Sequence, residues 1–105
     1  MLFIDESFVD QTIRLPVGQV IELRLRENPT TGFRWSFAAD GKPACTIVSD
    51  AFHRKDASPG QGGEHSWQLK AVQVGACELQ LLYRRPWDAG APPARSFTIH
   101  VQVTE

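Results

Sequence analysis

Apolar and polar residues trade places without an error along Ile21-Glu22-Leu23-Arg24-Leu25-Arg26 and again along Phe97-Thr98-Ile99-His100-Val101-Gln102-Val103. A period of two gathers the apolar side chains on one face of an extended strand and scatters them around a helix, so these segments predict half-buried strands. The same rhythm, less regular, recurs in Ile13-Arg14-Leu15, Phe33-Arg34-Trp35-Ser36-Phe37, Trp67-Gln68-Leu69-Lys70-Ala71 and Cys77-Glu78-Leu79-Gln80-Leu81, with an apolar run at Thr46-Ile47-Val48. Breakers separate them: Pro16 with Gly18, Asn28-Pro29 with Gly32, Gly41 with Pro43, the run Ser58 to Gly63, Gly75, and Pro86 to Pro93. No window of a dozen residues holds the helical period.

Strands that are apolar on one side must have that side covered. Two sheets packed face to face achieve this, so the expected fold is all-β: an immunoglobulin-like antiparallel β-sandwich of about seven strands, forming a single domain over residues 1–105. The inward set is then Ile13, Leu15, Ile21, Leu23, Leu25, Phe33, Trp35, Phe37, Ile47, Trp67, Leu69, Leu79, Leu81, Tyr83, Phe97, Ile99 and Val101. Cys45 opens the fourth strand and Cys77 lies on the inward face of the sixth, and both are expected as buried small hydrophobes with free thiols.

Eleven Lys and Arg stand against twelve Asp and Glu, a net charge of −1. Nucleic acid and anionic membrane surfaces both demand a basic excess, so neither is an expected partner. No apolar run approaches the ~20 residues of a bilayer span, and the start, Met1-Leu2-Phe3-Ile4-Asp5-Glu6, lacks the basic and long apolar regions of an export signal. The expected compartment is the cytoplasm if Met1 is the native start, and the periplasm or the exterior if this is a mature chain. His53, His65 and His100 lie far apart, outside metal-ligand spacing of each other or of a cysteine, so no metal and no cofactor are expected. Catalysis is not expected either. Cys77 faces the core, His65 and Ser66 are neighbours in a strand and point to opposite faces, and no paired carboxylates stand out.

Three connections are chemically unusual: Asn28-Pro29-Thr30-Thr31-Gly32, Gly60-Gln61-Gly62-Gly63 and Arg85-Pro86-Trp87-Asp88. If successive strands alternate in direction, the second-to-third, fourth-to-fifth and sixth-to-seventh connections emerge at one end of the sandwich, where special residues can form a composite rim. Pro29 and Gly32 stiffen the first connection, and the β-branched Thr30 and Thr31 lose little χ1 freedom when pressed against a partner. Three glycines in four positions bare the backbone of the second, inviting an extended partner chain; Gly62→Val should then weaken binding with thermal stability nearly unchanged. In the third, Pro86 holds Trp87 where no strand pattern buries it, and Trp is typical of interface hot spots. A carbohydrate-binding or adhesion module of the same sandwich class could also present a rim tryptophan.

Asn28-Pro29-Thr30-Thr31-Gly32-Phe33-Arg34-Trp35, Gly60-Gln61-Gly62-Gly63-Glu64-His65-Ser66-Trp67 and Arg85-Pro86-Trp87 together resemble the signature motifs of chagasin-type inhibitors of cysteine proteases. That resemblance implies a monomeric, reversible, noncovalent and competitive inhibitor whose partner is a papain-like cysteine protease. It implies that Asn28, Pro29, Thr30, Thr31 and Gly32 enter the catalytic centre, with Thr30 and Thr31 over the catalytic cysteine and histidine. Gly60, Gly62 and Gly63 would lie along the substrate-binding side, and Arg85, Pro86 and Trp87 on the leaving-group side. Phe33, Trp35 and Trp67 face inward within the same motifs and are expected to support the connections.

Overall fold

The computed structural model describes residues 1–28, 31–54, 62–88 and 90–105. Among the described residues there are eight strands: β1 Leu2–Ile4, β2 Thr12–Pro16, β3 Val20–Glu27, β4 Arg34–Asp40, β5 Cys45–Arg54, β6 Gly63–Ala71, β7 Gly75–Arg84 and β8 Arg95–Thr104. They form two four-stranded sheets, ordered β1-β3-β6-β5 and β2-β8-β7-β4. Pairing is antiparallel except at the first two strands, where β1 runs parallel to β3 and β2 parallel to β8.

The opening segment therefore switches sheets. A single 3-10 turn, Glu6–Phe8, carries the chain across, capped by Asp5, whose Oδ1 accepts the Ser7 N–H at 2.9 Å. Asp10 takes a left-handed φ of 63°, which a short polar side chain tolerates, and donates its N–H to the Thr98 carbonyl at 2.7 Å. Glu6 ties the crossing to both sheets: Oε1 accepts the Arg26 N–H at 3.0 Å and Oε2 pairs with Arg95 at 3.0 Å.

Alternation along β3 and β8 sends Ile21, Leu23, Leu25, Phe97, Ile99 and Val101 into the space between the sheets, all buried. The Phe37 ring of one sheet meets the Trp67 ring of the other edge-on at 5.6 Å, joining the two layers. Of the expected core, Phe33, Phe37, Ile47 and Tyr83 are only half-buried. Phe33 precedes β4 rather than lying in it. Phe37 and Ile47 each sit where the ladder shifts register, between Phe37 and Ala39 and between Ile47 and Ser49, and the second shift leaves Val48 exposed. Ile4, Ala44, Ala71 and Val103 complete the core beyond the expected set, and Cys45 is buried as expected. Cys45 is buried and Cys77 half-buried, both free thiols, with Sγ atoms 3.7 Å apart between β5 and β7.

Periodicity misplaced three boundaries. β1 was hidden in an unpatterned apolar run of which only Ile4 is buried. β5 continues through Ser49-Asp50-Ala51-Phe52-His53, polar for a strand and allowed to be so because it is a sheet edge. β6 begins at Gly63, opposite Glu27 and Arg54, four residues before Trp67.

Candidate functional site

β3 ends at Glu27 and hands the chain to Asn28, whose N–H donates to the Tyr83 hydroxyl at 3.0 Å. The Asn28 carbonyl accepts both the Thr31 N–H, at 3.2 Å, and the Thr31 hydroxyl, at 2.8 Å. Thr31 Oγ1 in turn accepts the Phe33 N–H at 3.4 Å. Thr31 is exposed yet tethered on either side, a local side-chain-to-backbone turn that limits where the chain can point.

The β7–β8 connection leans on this turn. Arg85 donates Nε–H to the Thr31 carbonyl at 3.3 Å, and its guanidinium lies 4.6 Å over the Phe33 ring. Phe33 stacks on Tyr83 at 5.5 Å, and Tyr83 meets Trp35 at 4.8 Å. Asp88 donates its N–H to the Arg85 carbonyl at 3.0 Å, closing a turn around Pro86 and Trp87. The Trp87 ring rests on Gly32: a Cβ built there would sit 2.4 Å from Trp87 Cη2, and Gly32 has φ +82°, so only glycine suits the position. Even so, 74% of Trp87 remains exposed.

Gly62 presses against the other side of the same turn. It has φ +71°, and a Cβ there would lie 2.9 Å from the Glu27 carbonyl oxygen and 3.1 Å from Asn28. This glycine is therefore required by the fold itself, and Gly62→Val must cost folding stability, contrary to the expectation of an unchanged thermal transition. Gly63 is buried as the first residue of β6, within the sheet rather than in the bare backbone of the connection. Thr31, Gly62 and Trp87 thus gather at one end of the sandwich, with Gly32 and Asn28 as the shared floor. Pro29, Thr30 and Gly60 lie outside the described residues.

Beneath this rim runs a polar chain absent from the sequence expectations. Glu27, 5% exposed, turns its carboxylate inward: Oε2 accepts the Trp35 N–H at 2.8 Å and Oε1 meets His65 Nδ1 at 3.0 Å. The opposite ring nitrogen, His65 Nε2, lies 2.6 Å from Asp50 Oδ1 on β5, and the imidazole stacks on Trp67 at 4.1 Å, the two rings nearly parallel. Trp35 closes the arrangement by donating its indole N–H to the Arg26 carbonyl at 2.8 Å. Burial alone would raise the Glu27 carboxyl, but the hydrogen bonds from His65 and the Trp35 amide outweigh it and hold its pKa below the ordinary value. Burial likewise pushes His65 down, and the two carboxylates more than reverse it. The signal for Glu27 was legible: extending the period of Ile21, Leu23 and Leu25 by one step puts an acid at an inward position, and counting back from Trp67 puts His65 on the same side.

The family model for Chagasin family peptidase inhibitor I42 matches residues 14–101. Chagasin of Trypanosoma cruzi is 28% identical over 97 residues, covering 88% of each chain. Amoebiasin-1 of Entamoeba histolytica is 33% identical over 92 residues, covering 88% of this chain and 89% of its own. Among solved structures, the cysteine protease inhibitor EhICP2 from Entamoeba histolytica matches with a TM-score of 0.86 at 26% identity, over 98% of this chain and 94% of that one.

Proposed function

From the premise that this chain belongs to the chagasin family of peptidase inhibitors, we propose that it blocks papain-like cysteine proteases reversibly and without a covalent bond, by filling the active-site cleft with one end of the sandwich. A protease of this kind attacks the carbonyl of an extended substrate. A stiff turn entering the cleft competes for that space while presenting no scissile bond in attack geometry.

The observation that carries the reading is the coupling of Trp87 to Gly32. A tryptophan left 74% exposed while locked against a neighbouring turn is an aromatic anchor prepared in advance, with little ordering left to lose on contact. In the proposed complex Thr30 and Thr31 lie over the catalytic cysteine and histidine. Gly60 and Gly62 follow the substrate side of the cleft, Gly63 stands back from it as the buried start of β6, and Arg85, Pro86 and Trp87 pack on the leaving-group side. Arg85 supports that division of labour by bonding to the Thr31 carbonyl, which ties the first and third connections together.

Titration of papain with the purified protein tests the proposal. Peptidase activity should fall stoichiometrically and return on dilution; unaffected turnover at micromolar protein would refute it.

A further inference from the structure

The chain Asp50–His65–Glu27 lies under the rim, buried at Glu27 and open at Asp50, and its chemistry is not needed to close a sandwich core. Its geometry fixes a charge state. A neutral imidazole carries one N–H and one bare lone pair. Here Nδ1 is 3.0 Å from a Glu27 oxygen and Nε2 is 2.6 Å from an Asp50 oxygen, so a neutral ring would aim a lone pair at one of the two carboxylates. An imidazolium donates to both, and both contacts become charge-assisted.

The other groups around the ring fit that state. Trp67 offers its face to the ring at 4.1 Å, an arrangement that favours a cation. From β4, Arg34 lies close enough to favour the charged form of Glu27, and from β7 the Tyr83 hydroxyl is occupied by the Asn28 N–H. His53, also on β5, bonds to Ser66 Oγ at 3.1 Å on the opposite face of the sheet. Two carboxylates thus flank the imidazole, and the arginine lies by Glu27.

We propose that His65, held as an imidazolium between Glu27 and Asp50, is the positioning residue that sets Asn28 and Gly62 relative to one another, and that full inhibition requires its proton. The mechanical link is short. Glu27 immediately precedes Asn28, its carbonyl is what Gly62 packs against, and its carboxylate is held by His65, three residues beyond Gly62 on the neighbouring strand. When the proton leaves, one contact must break. The partner that lets go is Asp50, exposed on an edge strand, because Glu27 is buried and also holds the Trp35 amide. The ring then loses its anchor on the Nε2 side and the positive charge that strengthens its bond to Glu27, which loosens the hold on Asn28 and Gly62.

This role rests on the inhibitor reading, and the experiment separates the two. Nitrogen-15 NMR of the wild-type protein reads the protonation of His65 directly, while inhibition constants against papain are measured from pH 5.5 to 8.5 for wild type and His65→Gln. The ratio of the two constants cancels the pH dependence of papain itself. It should be about tenfold at pH 5.5, the scale of one charge-assisted hydrogen bond, and shrink to about threefold or less at pH 8.5. A neutral His65 ring at pH 6, or a ratio equal at both ends of the range, overturns the proposal while leaving the inhibitor reading intact. Wild-type protein that spares papain at every pH removes the reading itself, and this role with it.

Discussion

Trp87→Ala separates binding from folding. An indole side chain offers ~250 Å² for burial, and with 74% of Trp87 already exposed, folding uses only about a quarter of that, ~65 Å². At ~25 cal/mol per Å² the loss to folding is at most ~1.6 kcal/mol. The remaining ~185 Å² would contribute ~4.6 kcal/mol if a partner covered all of it, and about half of that if it covered one face. We therefore expect the inhibition constant against papain to rise by roughly 30-fold, about 2 kcal/mol, measured from progress curves with a fluorogenic peptide. Urea unfolding of the same variant, followed by the fluorescence of Trp35 and Trp67, supplies the folding term. A change in the inhibition constant below about twofold, or a folding loss larger than the binding loss, would refute the argument that Trp87 is an anchor held ready for a partner.

Gly62→Val should lower folding stability by ~1–3 kcal/mol as well as weaken inhibition, because the new Cβ meets the Glu27 carbonyl from a left-handed backbone; an unchanged urea midpoint would contradict the described packing. Stability should peak in mildly acid solution. His65 has a pKa raised above its ordinary 6.5, so its contribution is complete below that value and disappears as pH rises through the raised one. Glu27 is lowered from 4.5, so its contribution is present above that value and disappears as pH falls through the lowered one. Urea midpoints at pH 5.5 and 8.5 should differ in that sense for wild type, and His65→Phe should flatten the alkaline side. Burial pushes the Cys45 thiol up to about 12, so in a Cys77→Ala variant at pH 8 the remaining native thiol should react with a disulfide reagent at least about a hundredfold more slowly than a free thiol, with unfolding restoring the rate.

Much of the rim was readable because its chemistry is local. Pro29 and Pro86 fix their own φ, Gly32 can take the left-handed backbone a turn needs, and a tryptophan at position 87 has no strand to bury it whatever the fold. The support beneath was harder to read. Glu27 and His65 belong to different strands, and Asp50 to a segment without alternation that reads as a connection. Only the pairing of β3, β6 and β5 brings the three side chains together. Gly62 was read as a position where a side chain would disturb a partner, and its role within the fold was not legible, because the atoms that crowd it, from Glu27 and Asn28, belong to another strand end. The same limit applies to β1, whose three residues acquire an inside and an outside only beside β3.

By itself the sequence determined the fold class and the end of the molecule where unusual residues collect, since a period of two and rigid turn residues act within a few bonds of their own positions. Tertiary structure alone decided that β1 and β2 divide between two sheets, that Trp87 rests on Gly32, and that one imidazole stands between two carboxylates. Those facts depend on register and on which strands become neighbours, quantities set by the cooperative burial of the whole core and carried by no short segment of chain.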